Sequence, residues 1–235
     1  MVQLQRISPV WDAPCIVAAT GPSLTEGVVR LVRYLRIASK WRVMAVQDAY
    51  KVMPWADALY GSCPSWWRLH KDCAGFNGQK WASHEIGPAH LNDNSEAAEK
   101  WNVSLVAGQD GIGFSFEQDH IHYGSNSGFQ AINLALLLGC KRIVLVGFDM
   151  RLVSGRSHFF GDHPQPLHQN KDEHYRAYIK HYERAAKKLP SDVSIVNATP
   201  GSALQCFPMM SFEDATSAIG RNDLRDRDRA VAHAG

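Results

Sequence analysis

The sequence predicts an α/β fold built on a doubly wound, mostly parallel, Rossmann-like sheet. Three observations predict it. Short apolar runs alternate with amphipathic segments along most of the chain, which is typical of βαβ units. The first apolar run ends in a glycine turn that opens into a helix, and a long apolar helix immediately precedes the strongest strand, "IVLVGFD". The strand-rich segments therefore belong to one buried parallel sheet.

The N-terminal elements follow a β, α, β, β order. The run Cys15 to Ala19 predicts a strand, and "SLTEGVVRLVRYLRIAS" predicts a helix because its leucines and valines recur on one helical face. Ser23 and Glu26 have the spacing of a capping box, which places the start of this helix at Ser23. The segments "WRVMAVQ" and "ADALYG" predict two further strands with a short helix or turn between them.

The middle of the chain breaks this pattern. Residues 63–119 are rich in Trp, His, Gly and Asn and contain one weak strand signal, so we expect an irregular insertion over the sheet. Regular elements return with an apolar helix from Ser127 to Leu138, the strand "IVLVGFD", the helix "DEHYRAYIKHYERAAKKL" and the strand "VSIVNAT". The Pro- and Gly-bearing segment 151–170 predicts a mobile lid loop. Residues 1–219 then form one nucleotide-binding domain, and the charged, aperiodic residues 220–235 predict a disordered tail.

Composition excludes several classes of protein. The 235 residues carry 25 basic and 23 acidic side chains, a formal net charge of +2, so no global field draws the chain to nucleic acid. No apolar run is long enough to span a bilayer, and the N-terminus lacks the pattern of a signal peptide, which predicts a cytoplasmic protein. The five cysteines are scattered without a C-x-x-C spacing, which argues against a disulfide framework or a zinc knuckle.

Candidate binding residues follow the predicted strands. In a doubly wound sheet, ligands lie beyond the carboxyl ends of the strands. The residues at those positions are small, polar or glycine, which suits close approach to phosphates and hydrogen bonding to ribose and base. They are Thr20, Gly21, Pro22, Ser23, Gln47, Asp48, Asn126, Ser127, Gly128 and Asp149. Ser23, Asn126 and Ser127 have an alternative explanation as helix caps.

Three blocks of sequence carry a resemblance. "ATGPSL", "NSGFQAINLALLLGCKRIVLVGFDM" and "IVNATPGSAL" resemble blocks of bacterial sialyltransferases of the Campylobacter lipooligosaccharide type. They are also similar to the wider superfamily that includes archaeal 6-hydroxymethylpterin diphosphokinases and many phage-borne chains. The resemblance covers most of residues 14–205 and implies a transferase that takes a CMP-sugar or another nucleotide-sugar as its donor. The acceptor is not implied.

The resemblance also implies roles for single residues. Gly21 to Ser23 match the turn that cradles phosphate, Ser127 and Gly128 match an S-G element that contacts the nucleotide, and Asp149 matches an acid at the donor site. Gln47 and Asp48 fall at an N-Q pair. "LHQNKD" falls at the lid motif, which makes His168 the counterpart of the general base. Thr20 and Asn126 depart from the family pattern, which has asparagine and threonine there.

The sequence leaves three functions open. The leading one is glycosyl transfer with His168 as base and no required cofactor. The second is pyrophosphoryl transfer from ATP to a small alcohol, with Mg²⁺ held by Asp149 and Asp48. The third is nucleotide binding without catalysis. A metal site from His158, His163 and His168 is a further alternative, although five-residue intervals do not place ligands on one helical face. All three functions are compatible with an oligomer.

Overall fold

The computed structural model describes residues 3–85, 93–165, 167 and 169–219. Across these residues, eight strands form a single parallel sheet in the order β6-β5-β4-β3-β2-β1-β7-β8. The strands are β1 (Cys15–Ala18), β2 (Arg42–Val46), β3 (Ala58–Tyr60), β4 (Gln79–Glu85), β5 (Ser104–Gln109), β6 (His120–His122), β7 (Arg142–Val146) and β8 (Ser194–Asn197). The predicted α/β fold with a doubly wound parallel sheet is confirmed.

Helices connect the strands and cover both faces of the sheet. They are α1 (Glu26–Ser39), the 3-10 helix η1 (Gln47–Lys51), α2 (Pro64–His70), α3 (Ser95–Trp101), α4 (Ser127–Leu137), α5 (Asp172–Ala186) and α6, residues 212–219. Helix α4 is buried along nearly its whole length, from Gly128 to Leu137. An apolar, all-round buried helix of this kind has to lie inside the protein, and it contacts β1 and β2 at the centre of the sheet.

The strand order reverses at β1, which pairs with β2 on one side and β7 on the other. Alternate residues of β1 face opposite sides of the sheet, as a strand requires. Cys15 and Val17 pack in the core cluster that includes α4, whereas Ile16 and Ala18 pack in the second cluster with Val32 of α1. The switch point, where ligands bind in such sheets, therefore lies at the carboxyl end of β1.

Residues 63–119 differ from the expectation of an irregular insertion. The structure places α2, β4, α3 and β5 in this segment, and both strands extend the sheet. The sequence pattern does not predict β4 because only its central residues Trp81, Ala82 and Ser83 are buried, while polar residues occupy its two ends. A strand whose buried part is only three residues long gives no clean alternation of apolar and polar residues.

The start of α1 also differs from the prediction. Thr25, not Ser23, is the N-cap, and its hydroxyl accepts a hydrogen bond from the amide of Val28 at 3.4 Å. The Ser23 hydroxyl instead donates a hydrogen bond to Asp149. The predicted capping box of Ser23 and Glu26 is therefore wrong, and the N-cap lies two residues later than expected.

Two predicted features lie outside the described residues: the tail 220–235 and His168. The predicted lid contacts the end of the sheet at Phe159, whose amide donates to the carbonyl of Thr20 at 2.8 Å. Its mobility stays a prediction. Among the helices that the structure describes, none combines the length and the apolar character needed to cross a membrane.

Candidate functional site

A cleft opens at the carboxyl ends of β1, β2 and β7, facing the N-terminus of α4. It encloses about 540 Å³ of space that is partly open to solvent. Seven of the predicted residues line it: Thr20, Gly21, Gln47, Asn126, Ser127, Gly128 and Asp149. Pro22, Ser23 and Asp48 do not line it. The structure thus brings together residues from four separate parts of the sequence at the switch point of the sheet.

Asp149 joins the end of β7 to the turn after β1. Its Oδ2 atom accepts a hydrogen bond from the hydroxyl of Ser23 at 2.7 Å and from the amide of Ser23 at 3.3 Å. The side chain is buried, and burial raises the pKa of Asp149 above its ordinary value, although the bonds from Ser23 act in the opposite direction. A buried carboxylate at the cleft wall is suited to accept hydrogen bonds from ligand hydroxyls.

The Gly21 turn does not present free amides to the cleft. The amide of Gly21 donates to the carbonyl of Gly147 at 2.9 Å, and the amide of Leu24 donates to the carbonyl of Gly21 at 3.0 Å. The amide of Ser23 is held by Asp149. The expectation that this turn aims its N–H groups at a phosphate is therefore corrected, because the protein's own acceptors already use them.

Glycine is nonetheless required at position 21. A β carbon built there would overlap the Asp149 carboxylate and the carbonyl oxygen of Gly147. Gly147 itself has a φ of 73°, in the left-handed region that favours glycine. The two glycines let the turn after β1 and the end of β7 approach closely, which positions Asp149 at the cleft wall.

The N-terminus of α4 supplies the available amides. Asn126 is the N-cap, and its Oδ1 atom accepts hydrogen bonds from the amide of Phe129 at 2.9 Å and from the hydroxyl of Tyr182 at 2.7 Å. The amides of Ser127 and Gly128 have no partner inside the helix, as at any helix start. They lie in the cleft lining at the positive end of the helix dipole, where an anion is favoured.

Gly128 and Ser127 fit this position closely. A β carbon at Gly128 would come within 2.9 Å of the Phe148 ring and 3.0 Å of the Tyr182 hydroxyl. The Ser127 hydroxyl lies 2.7 Å from that of Ser62, at the boundary with a second compartment. The sequence had offered capping as the alternative role for Asn126 and Ser127, and the structure assigns the cap to Asn126.

A second compartment of about 650 Å³ adjoins the cleft. The residues that line both spaces include Gln47, Ser127 and His158. The second compartment is also lined by Ser62, Cys63, Trp66 and His163, which do not line the cleft. Hydroxyl, amide and imidazole groups beside an indole ring are typical of a surface that binds a polyhydroxylated ligand.

Left-handed backbone conformations border both spaces. Gln47 has a φ of 46°, Ser125 a φ of 64° and Met150 a φ of 51°. Residues other than glycine adopt such angles at an energetic cost and cluster at functional sites. Their position on the walls of the cleft agrees with a site whose side chains are held in a fixed arrangement.

His158 joins the loop after β7 to the turn after β1. Its Nδ1 atom lies 2.8 Å from the hydroxyl oxygen of Thr20, and its ring stacks on Phe160 with 4.9 Å between ring centroids. Burial lowers the pKa of His158 to about 4, and the neighbouring His163 lowers it further than Asp48 raises it. The imidazole is therefore neutral at pH 7.

Asp48 belongs to a buried polar cluster behind the cleft. Its carboxylate accepts hydrogen bonds from the ammonium of Lys51 at 2.6 Å and the indole of Trp66 at 2.7 Å, and His70 lies 3.5 Å away. Burial by itself would raise the pKa of Asp48, but the bonds from Lys51 and Trp66 together hold it below its usual value. Asp48 and Asp149 do not share the cleft lining, so nothing in their placement favours a Mg²⁺ ion held between them.

The metal site predicted from His158, His163 and His168 includes one residue, His168, outside the described part of the chain. Within residues 3–85, 93–165, 167 and 169–219, no group of three or more His, Cys, Asp or Glu side chains has an arrangement that could hold a metal ion. His158 and His163 do lie together, with 4.4 Å between ring centroids. Together they form part of the wall of the second compartment.

Sequence reasoning missed the contribution of α5. Tyr175, Tyr178 and Tyr182 all line the cleft, and their spacing of three and four residues places them on one helical face. That spacing was the signal that would have found them. His158 was noticed only as one of three loop histidines, and no feature of the sequence separates it from His163 or His168.

Comparison with known proteins shows a likeness in fold. No protein-family model matches the sequence, and no curated protein sequence matches it. Among solved structures, the chain is similar to the MAf glycosyltransferase from Magnetospirillum magneticum AMB-1, with a TM-score of 0.60 and 12% sequence identity. The alignment covers 95% of this chain and 38% of that chain, so the protein studied here corresponds to well under half of its structural neighbour.

Proposed function

We propose that the chain is a glycosyltransferase-like enzyme that transfers a sugar from a nucleotide-sugar donor to an acceptor hydroxyl. The observation that carries the proposal is the meeting of the α4 N-terminus with the buried Asp149 in one cleft at the switch point of the sheet. An amide-rich helix end favours a phosphate, and a carboxylate beside it favours hydroxyl groups. The fold shared with a glycosyltransferase supports the same conclusion.

The donor phosphate is assigned to the amides of Ser127 and Gly128, because the amides of the Gly21 turn are already bonded. The hydroxyl groups of the ribose or the sugar then form hydrogen bonds with Asp149, Gln47 and Thr20. The tyrosine face of α5 closes the other side of the cleft and offers rings for stacking. This placement retains the predicted residues of the cleft and moves the phosphate from one helix start to another.

The acceptor is assigned to the second compartment. Its hydroxyl oxygen attacks the anomeric carbon, the bond from that carbon to the donor phosphate breaks, and the nucleotide leaves with the electron pair. The acceptor proton passes to a base, which the family resemblance identifies as His168. Attack from the side opposite the leaving group inverts the anomeric centre. Positioning and stabilisation of the leaving phosphate supply most of the rate, and the base adds about 10²–10⁴-fold.

A thermal-shift screen tests the nucleotide first. The protein is heated with CMP, UDP, GDP or ADP and with the corresponding nucleotide-sugars, each with and without Mg²⁺. A ligand that binds only the folded state raises the melting temperature, so the ranking reports which base is preferred. A protein that responds to none of these compounds would contradict the proposal.

Turnover of the donor tests the enzyme. Release of free nucleotide from the best donor is followed in the wild type and in His168→Ala, which is expected to bind the donor normally and to lose transfer. Tight binding of a donor without any release, with every acceptor tried, would favour the non-catalytic nucleotide-binding alternative. Loss of activity on chelation of Mg²⁺ would instead favour pyrophosphoryl transfer.

A further inference from the structure

His158 carries a buried ring nitrogen that the fold leaves without a partner. Only 5% of the residue is exposed, and its Nε2 atom has no hydrogen-bond partner among the residues that the structure describes. The side chain lines both the cleft and the second compartment. A buried polar atom left unpaired destabilises the folded state by roughly 1–3 kcal/mol, so its retention calls for an explanation.

The partner of the other ring nitrogen identifies the tautomer. Nδ1 lies 2.8 Å from the Thr20 hydroxyl oxygen, and either atom can be the donor. If the imidazole donated, the buried Thr20 hydroxyl would keep its own proton with no acceptor recorded for it in the described part of the chain. If the hydroxyl donates, it is satisfied and the imidazole proton resides on Nε2. Hydrogen-bond satisfaction therefore favours a proton on Nε2, the ring nitrogen that has no partner among the described residues.

We infer that His158 binds the donor directly, with its neutral Nε2–H group donating a hydrogen bond to a phosphate oxygen held at the N-terminus of α4. This inference rests on the proposed function and adds a binding residue to it. His158 lines the same cleft as Ser127 and Gly128, so a phosphate at the helix end can meet donors from two directions.

The surroundings of the ring support this role. Phe160 stacks parallel to the imidazole, with an angle of 2° between the planes, and His163 tilts against it at 4.4 Å. The ring is thereby fixed before any ligand arrives, which reduces the entropy lost on binding. Its lowered pKa keeps it uncharged over the physiological range, which suits a hydrogen-bond donor more than a base that has to accept a proton.

Nuclear magnetic resonance tests the tautomer without any ligand. Two-bond ¹H–¹⁵N correlation spectra of histidine-labelled protein distinguish the protonated from the unprotonated ring nitrogen, and the signals missing from His158→Gln identify those of His158. We expect Nε2 to be protonated in the wild type. A proton on Nδ1 would overturn the inference, since Nε2 would then be an acceptor.

Binding of phosphate compounds tests the contact. CMP, UDP, GDP, ADP and inorganic pyrophosphate are titrated into the wild type, His158→Phe and His158→Gln, with cytidine and uridine as phosphate-free controls. His158→Phe removes the donor but keeps a ring, and we expect its affinity for the phosphate compounds to fall about 10- to 100-fold. Glutamine places an amide donor nearby and is expected to recover part of the loss. Binding of the nucleosides is expected to stay unchanged.

The outcomes separate this inference from the proposed function. A wild type that binds none of the phosphate compounds would overturn both. Unchanged affinity in His158→Phe, with a nucleotide bound by the wild type, would overturn the role of His158 alone. An equal loss of nucleoside binding would also overturn it, because it would indicate a disturbed cleft. If His158→Phe does not fold, His158→Gln is compared with Thr20→Val instead. Glutamine retains the phosphate contact, whereas valine removes the hydroxyl that orients the imidazole. Thr20→Val is therefore expected to bind the phosphate compounds more weakly than His158→Gln.

Discussion

The hydroxyl of Ser23 donates a hydrogen bond of 2.7 Å to the carboxylate of Asp149, and the two residues follow the carboxyl ends of the parallel neighbours β1 and β7. The amide of Ser23 donates to the same carboxylate at 3.3 Å, and α1 begins beyond this turn with Thr25 as its N-cap. Ser23 is thus held to the end of β7 by both its hydroxyl and its amide.

A double-mutant cycle measures the Ser23 contact. Ser23→Ala and Asp149→Asn are each expected to lower the free energy of unfolding by about 1–2 kcal/mol, and the double variant to lose less than the sum. Urea unfolding gives each value. The pair Ser23→Ala and Asp162→Asn serves as control, because Asp162 is exposed on the same loop and its effect should add to that of Ser23. Strict additivity in the first pair would refute the coupling.

Replacement of Gly21 tests the close approach of β1 and β7. Gly21→Ala is expected to lower the free energy of unfolding by roughly 1–3 kcal/mol, since the new methyl group has to displace Asp149 or the Gly147 carbonyl. The matched control is Gly27→Ala in α1, where the nearest atom lies 3.7 Å away, and which should be neutral or slightly stabilising. Equal stability of the two alanine variants would show that the turn has room for a side chain.

Asn126→Asp separates the cap from the anion site. The aspartate oxygen can still accept from Phe129 and Tyr182, and a negative charge is favourable at a helix start. The bond that the Asn126 side-chain amide donates to the Gly124 carbonyl is lost, so we expect the free energy of unfolding to fall by about 1 kcal/mol. The same charge beside the phosphate should weaken nucleotide binding at least about tenfold. Calorimetric titration with the nucleotide that binds the wild type best checks this.

The companion variant is Asn126→Ala, which loses the cap and leaves the Tyr182 hydroxyl without its acceptor. It is expected to be destabilised by about 2 kcal/mol. Undiminished nucleotide affinity in Asn126→Asp would place the phosphate elsewhere in the cleft.

His158 makes stability depend on pH. Its pKa is about 4 in the folded protein and near the ordinary value of 6.5 in the unfolded chain. Below pH 6.5 the unfolded chain binds a proton that the folded protein does not, so the free energy of unfolding falls as the pH falls towards 4. We expect this group to account for about 2 kcal/mol between pH 7 and pH 4.5, and the loss to be smaller in His158→Gln. Parallel pH profiles of the two proteins would contradict the assignment.

Asp48→Asn tests whether Asp48 acts on the ligand or on the fold. Because Lys51 and Trp66 bond its carboxylate behind the cleft, we expect a loss of roughly 1–3 kcal/mol in the free energy of unfolding and no change in nucleotide affinity. Trp66→Phe removes one of the same bonds and should likewise lower the free energy of unfolding without changing nucleotide affinity. Affinity is compared for the folded fraction of each variant. A selective loss of affinity in Asp48→Asn would return Asp48 to the binding site.

The sequence predicts the fold well because most of the buried parallel strands coincide with apolar runs in the sequence. The apolar runs at Cys15 and Ile143 and the apolar helix α4 each have a period and a length that allow one assignment. Strand β4 has no such apolar run because only three of its residues are buried. Its place in the sheet comes from pairing with β3 and β5, which no local pattern contains.

The candidate site is less predictable than the fold. The rule that ligands lie at strand ends gathers Gly21, Asn126 and Asp149 correctly into one cleft. It does not reveal that the amide of Ser23 donates to Asp149, or that the carboxylate of Asp48 pairs with Lys51. Both contacts depend on side-chain directions that tertiary packing fixes. His158 is distinguished only by its burial and its bond to Thr20, 138 residues away.

The central position of β1 has a consequence for synthesis and folding. This strand is synthesised before both of its neighbours and can pair with β2 first, but its other edge has no partner until β7 is made, whose Ile143 lies opposite Cys15. Until then a fully apolar strand edge stays open to pairing with other chains. We expect slow, chaperone-sensitive refolding dominated by this long-range closure, and an aggregation-prone fragment when translation stops before β7.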